Sequence, residues 1–203
     1  MTDNPDRERF QAAYQGTPPW DIGRPQKALV EVADRITGSV LDAGCGTGDN
    51  ALFFAQRGQP VVGIDFVEFP IREAQRKAAQ RGIRAEFLQM DALKLTGLDR
   101  QFDSVIDCGL FHVLSDEDRG GYVAGLARVT KPGGKVFLLC FSDQEPYERG
   151  PRRIRQGEIR EAFGDGWIIE SITASHFEPS TESKGKFAEA GPKAWFAIIE
   201  RAS

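Results

Sequence analysis

Residues 39–65 open with Ser39-Val40-Leu41-Asp42-Ala43-Gly44-Cys45-Gly46-Thr47-Gly48, continue through a helical run, and close with Pro60-Val61-Val62-Gly63-Ile64-Asp65. Val40 and Leu41 form a short apolar run that feeds three glycines spaced two apart. A short apolar run, a glycine turn and a helix together describe a strand–turn–helix unit. Glycine lets a ligand approach the main chain and permits positive φ. The helix predicted over Asn50 to Arg57 offers its free N–H groups and positive dipole end to that ligand. The second strand, Val61 to Ile64, ends in Asp65. An acidic residue there, about 20 residues past the glycines, is where a ribose diol is held in nucleotide-binding βαβ units.

The spacing narrows the ligand. Counted from Gly44, the third glycine of G-x-G-x-x-G falls on Asp49; counted from Gly46, it falls on Ala51. Alanine is tolerated in some dinucleotide sites, so a nicotinamide cofactor and an oxidoreductase stay open as the alternative. The string present is Asp42-x-Gly44-x-Gly46-x-Gly48. It resembles motif I of the class I S-adenosylmethionine (SAM) methyltransferases, and Val-Val-Gly-Ile-Asp65 resembles their motif II. An acidic residue opening the turn suits a ligand with an ammonium group and not a pyrophosphate. SAM carries that ammonium.

With 203 residues the chain is long enough for one domain with a real core. The net charge of -4 leaves no basic nucleic-acid footprint. The three cysteines, Cys45, Cys108 and Cys140, are an odd count with no C-x-x-C pair, so no zinc site is expected and a reduced, cytoplasmic setting is. Met1 to Arg9 is polar and charged, unlike a signal peptide. No apolar run approaches the ~18 residues of a membrane span. The sequence does not specify an oligomeric state.

Ahead of the glycine unit, residues 1–37 read as an arm and residues 38–203 as the main domain. Asp6 to Gln15 is predicted helical, with Phe10 and Tyr14 on one face. Gly16-Thr17-Pro18-Pro19 breaks it, and a second helix runs from about Gln26 to Ile36. Thr17-Pro-Pro-Trp20-Asp-Ile-Gly-Arg-Pro25 resembles a segment of the thiopurine and halide methyltransferase group. It resembles still more the bacterial heterocyclic toxin methyltransferases, which act on hydroxyquinoline-like and quinone-like compounds. The resemblance covers nearly the whole chain. It implies that Trp20 lies near SAM and that the arm covers the active site as a lid. The plainer alternative is that Phe10, Tyr14 and Trp20 pack on the body.

Further elements follow in order. Glu68 to Arg81 is a helix ended by Gly82, and Ala85 to Leu88 a strand. Asp91 and Ala92 beyond it can meet the adenine amine and ring; an Asx turn is the alternative reading of Asp91. Phe102 to Asp107 is the fourth strand, ending Asp107-Cys108-Gly109-Leu-Phe-His112. Ligands of open α/β sheets sit beyond the carboxyl ends of strands, so Asp107 to His112 should line the site. The string is not the Asn/Asp-Pro-Pro-Tyr/Phe of enzymes acting on exocyclic amines. A helix over Asp116 to Val129, a turn at Lys131 to Gly134 and a strand over Lys135 to Phe141 come next. Gln144 to Arg155 is an arginine-rich loop expected to be a solvated patch with Glu145 and Glu148, with an anionic-acceptor role for its arginines as the alternative. A helix (Gln156 to Phe163), a strand (Trp167 to Thr173) with His176 and Phe177 just beyond, a polar loop (Ser180 to Pro192) and a last strand (Ala194 to Glu200) complete the chain.

The alternation implies α/β. The resemblance implies a Rossmann-like sandwich with helices on both faces of a mostly parallel seven-stranded sheet, ordered 3-2-1-4-5-7-6. The function expected is methyl transfer from SAM, leaving S-adenosylhomocysteine, to O, N or S of a small aromatic or heterocyclic acceptor, without metal. A SAM-binding module without chemistry is the other alternative. The expected cofactor residues are Trp20, Asp42, Gly44, Cys45, Gly46, Gly48, Asp65, Phe66, Asp91, Ala92, Asp107 and Cys108. The expected acceptor residues are Tyr14, Trp20, His112, Phe141 and Phe177. His112 and His176 are the two candidate bases, being the only histidines.

Overall fold

The computed structural model describes residues 5–146, 150–180 and 190–203. Met1 to Asn4 of the arm, Glu148 and Arg149 of the arginine-rich loop and residues 181–189 of the polar loop lie outside the described residues.

Seven strands form one sheet in the order β3-β2-β1-β4-β5-β7-β6. They are β1 (Val40–Ala43), β2 (Val61–Asp65), β3 (Glu86–Gln89), β4 (Phe102–Cys108), β5 (Thr130–Phe141), β6 (Trp167–His176) and β7 (Lys193–Arg201). All neighbouring pairs from β3 to β5 are parallel, and β7 runs antiparallel to both β5 and β6. The helices are α1 (Pro5–Ala13), α2 (Lys27–Glu31), α3 (Asp49–Gln56), α4 (Glu68–Arg81), α5 (Asp116–Val129) and α6 (Gln156–Ala162).

Period-two alternation divides the core in two. Val40, Ile106, Phe137 and Leu139 join Leu29, Leu52, Phe54 and Ala74 of α2 to α4 on one face. Leu41, Val105, Val136 and Leu138 join Tyr122, Leu126 and Ile159 of α5 and α6 on the other. The central strands are buried on both faces, so they read as near-continuous apolar runs. Burial of apolar surface at about 25 cal/mol per Å² is what holds the layers together.

Three expectations shift. The helix expected over Gln26 to Ile36 is α2 followed by a 3₁₀ turn, Ala33–Arg35, because Val32 leaves helical geometry at φ -109°, ψ 14°. Strand β5 starts at Thr130, directly after α5, and the Lys131 to Gly134 turn is a register shift within it, with Gly133 at φ 74°. Strand β6 runs on through His176, which pairs with Lys193 instead of lying beyond the strand. Two 3₁₀ helices, Ala92–Gly97 and Phe111–Val113, have no apolar period to announce them.

Candidate functional site

The carboxyl ends of β1, β2, β3 and β4 converge on a cavity of about 720 Å³. That size suits a small-molecule site. Its wall at one end is the turn after β1. Gly44 and Gly46 line the cavity with φ 74° and 52°. The amides of Gly44 and Cys45 donate to the Ile64 carbonyl at 2.9 and 2.8 Å, folding the turn back on β2. Asp65, at the end of β2, accepts from the Gly46 amide at 3.1 Å and from the Val67 amide at 2.9 Å. Burial pushes its carboxyl up to about 6, against those amide bonds. Phe66, Asp91, Ala92 and Cys108 complete this end. Asp91 also caps the 3₁₀ helix, its Oδ1 accepting from Leu93 N–H at 2.9 Å, so the Asx-turn reading and the cavity-lining reading both describe it.

Three expected cofactor residues support the wall from behind instead of lining it. Asp42 is 1% exposed, and no hydrogen bond of normal geometry reaches either of its oxygens among the described residues. Burial pushes its carboxyl up to about 7, eased by the Ala51 amide and raised further by Asp107 and Asp65. Gly48 does not line the cavity, and a Cβ there would lie 2.7 Å from the Ala74 Cβ and 2.9 Å from the Phe87 ring. It lets α3 and α4 pack. Asp107 is fully buried and holds the loop after β4, accepting from Leu110 N–H at 2.9 Å, Phe111 N–H at 3.2 Å and the Tyr122 hydroxyl at 2.9 Å. Asp49, where a dinucleotide site needs glycine, sits buried in an ion pair with Lys77 at 2.7 Å.

The arm closes one side. The Trp20 indole N–H donates to the Tyr14 hydroxyl at 3.2 Å, and Phe10 meets Trp20 and Phe66 edge-on at 5.5 and 5.7 Å. All four rings line the cavity. The Pro-Trp segment is anchored, not loose. The Thr47 hydroxyl donates to Asp21 Oδ2 at 3.0 Å. Gln26 pairs with the Glu178 backbone, donating at 3.2 Å and accepting at 2.8 Å, and Glu178 accepts from Arg24 at 3.1 Å and from Lys27 N–H at 3.0 Å.

The other end is aromatic. His112 stacks on Phe141 at 4.6 Å, and Phe177 meets Phe141 edge-on at 5.0 Å. Arg153 lays its guanidinium 5.1 Å from the Phe141 ring centre, donating to the Glu145 and Pro151 carbonyls. This corrects the expectation of a purely solvated arginine patch: Arg153 lines the cavity, while Arg152 and Arg155 pair with Glu158. The sequence offers these arginines only as alternative partners of an anionic acceptor, and their lack of period does not single out Arg153.

The histidines part company. His112 is 5% exposed and lines the cavity. Its Nδ1 accepts the Phe141 backbone N–H at 3.1 Å. Burial and the Arg153 charge hold its ring down to about 3. His176 is exposed on edge strand β6 and is not among the cavity-lining residues. Among the described residues no His/Cys/Asp/Glu group is arranged to hold a metal, and no helix is long and apolar enough to cross a membrane.

The cradle fits SAM in three respects. Two glycine backbones face the cavity with no Cβ in the way, a carboxylate stands at the β2 end for a ribose diol, and a buried carboxylate lies behind the turn. Comparisons agree. A methyltransferase domain model matches residues 40–134. A 2-heptyl-1-hydroxyquinolin-4(1H)-one methyltransferase of Mycobacteroides abscessus is 34% identical over 186 residues, 85% of this chain and 82% of that one. A protein solved in work on the conversion of a disulfide bond into a thioacetal group during echinomycin biosynthesis superposes with a TM-score of 0.87 at 35% identity, covering 97% of this chain and 93% of that one. Magnesium protoporphyrin IX methyltransferase from Synechocystis PCC 6803, solved with bound SAM, shares the fold at a TM-score of 0.65 and 22% identity, over 86% of this chain and 74% of that one.

Proposed function

The chain belongs to the SAM-dependent methyltransferases, and on that premise we propose that it methylates a heteroatom of a small, planar aromatic or heterocyclic compound of the hydroxyquinoline or quinol type. The observation that carries this is the division of one cavity into two unlike ends. Gly44, Gly46 and Asp65 form a polar backbone cradle at one; His112, Phe141 and Phe177 form an aromatic slot at the other. The hydroxyquinolone relative supports the acceptor class.

In this reading Gly44, Cys45, Gly46, Asp65, Phe66, Asp91, Ala92 and Cys108 hold SAM, and Asp42, Gly48 and Asp107 shape the loops that present them. Bound SAM supplies a methyl group already activated on a sulfonium. The protein's part is to bring the acceptor atom into line with that methyl, about 3–3.5 Å away, and to keep water out. The aromatic slot sets the plane of the acceptor. Residues 1–37 act as the cover through Phe10, Tyr14 and Trp20, and residues 38–203 form the catalytic domain.

The test is turnover with SAM on a panel of hydroxyquinolines, quinols, thiols and halide ions, read as S-adenosylhomocysteine formed per methylated product. The reading expects planar hydroxy-heteroaromatics to be the best acceptors. Preference for halide or a small thiol would overturn the acceptor class, and SAM binding without any turnover would leave a binding module.

A further inference from the structure

Resting on the proposed acceptor class, we infer that His112 is a fixed hydrogen-bond donor that selects acceptors arriving as oxyanions, and is not a general base. A neutral imidazole carries one N–H and one acceptor nitrogen. The Phe141 backbone N–H, 3.1 Å from Nδ1, needs a lone pair there. The ring proton therefore sits on Nε2. Stacking on Phe141 at 4.6 Å and edge contact with Phe177 at 5.8 Å hold the ring against flipping. Nδ1 is occupied and Nε2 already holds its proton, so the neutral ring has no lone pair to offer the cavity. Protonation would cost the Phe141 bond in a buried site beside a guanidinium, consistent with the depressed basicity of the ring.

What the ring offers is an N–H. An anionic oxygen is the partner that gains most from it, since hydrogen bonds to charged groups are roughly twice as strong as neutral ones. Arg153, its guanidinium 5.1 Å from the Phe141 ring centre, adds a positive charge to the same end. Of the acidic residues lining the cavity near there, Glu178 is ion-paired with Arg24, and the exposed Asp118 accepts from the Ser115 hydroxyl. The acceptor class is a hydroxy- or N-hydroxy-heteroaromatic that ionises below neutrality. Its oxygen lone pair forms the bond to the methyl carbon as the carbon–sulfur bond breaks onto sulfur. The acceptor has shed its proton to solvent before binding, so none moves in the step. The hydrogen bond is made to the bound acceptor and is kept in an early transition state, where the oxygen still carries most of its charge, so its loss should appear in KM and not in kcat.

Two measurements test this. Long-range ¹H–¹⁵N spectra of the histidine rings, assigned with His176→Asn, should show Nε2 protonated and Nδ1 bare for His112 across about pH 5 to 8. The opposite tautomer, or an imidazolium forming in that window, overturns the inference. In kinetics, His112→Phe should raise KM for an ionised acceptor roughly ten- to 150-fold with kcat held within about threefold, and His112→Gln, which keeps a donor, should recover most of the loss. A kcat defect that grows with acceptor pKa, shared by both variants, restores the base and overturns the inference. The spectra need no turnover, so a wrong tautomer defeats this inference alone, while an inert wild-type protein defeats the proposed function alone.

Discussion

The backbone N–H of Gly46 donates to Oδ2 of Asp65 across 3.1 Å, tying the glycine turn after β1 to the end of β2. The same carboxylate braces the turn and faces the cavity. Removing it should therefore loosen the cradle as well as delete a ribose partner. A charge-assisted hydrogen bond is worth about 1.5–3 kcal/mol. Asp65→Ala should weaken SAM binding roughly ten- to 150-fold by calorimetry. Unchanged affinity in the folded variant would take Asp65 out of the site.

Two glycines of the same turn should fail differently. A Cβ on Gly46 would lie 3.0 Å from the Tyr14 hydroxyl, on the cavity side. Its φ of 52° adds about 1–2 kcal/mol of strain for any side chain. Gly46→Val should keep the fold and lose SAM binding. Gly48→Val would instead drive carbon into Ala74 and Phe87, so it should lower the melting temperature sharply. Equal thermal losses in the two variants would argue against this division.

Asp42 should make stability fall as pH rises. A free aspartate titrates near 3.8, and burial raises Asp42 to about 7. Between these values the folded chain holds a proton that the unfolded chain has released. Stability from this group is therefore greatest at the acid end of the window and is lost as pH rises through about 7. Asp42→Asn should be more stable than the parent above about pH 7, with the difference closing towards about pH 4. Urea unfolding at several pH values checks it; a constant difference would mean that Asp42 is ionised throughout.

The arm should matter to the cofactor. A hinged cover over the acceptor alone would cost turnover and spare SAM affinity when removed. Tyr14, however, sits over Gly46, and Phe10 reaches Phe66 beside Asp65. Deleting residues 1–15 should therefore weaken SAM binding at least tenfold while the core still melts cooperatively. Unaltered SAM affinity in the truncated protein would return the arm to the acceptor side.

The parts legible in the sequence were those built from local pattern. The glycine turn, the β1–α3–β2 unit and the doubly buried strands follow from short-range periods or from one motif, whereas the order of the sheet is what the family resemblance implies. The parts that were not legible depend on distant pairs. His112 meets the Phe141 amide 29 residues away, and Gln26 meets Glu178 at a separation of 152. Neither pair leaves a period. Asp42 reads as ligand-facing because it stands near the end of a strand, whereas the fold leaves it 1% exposed behind the turn. Ending β6 at Thr173 puts His176 beyond it, whereas the strand continues through Ser175 and His176, polar residues that an exposed edge tolerates.

If one cavity joins a SAM cradle to an aromatic acceptor slot, SAM carrying a ¹³C-labelled methyl, incubated with the protein and a hydroxyquinolone, should pass its label across that cavity. The label should appear on the acceptor's ring-bound oxygen, in step with S-adenosylhomocysteine. Phe141→Ala, which opens the slot, should abolish labelling while SAM still binds. Label transfer undiminished in Phe141→Ala, or S-adenosylhomocysteine formed with no label on the acceptor, would contradict the joined cavity.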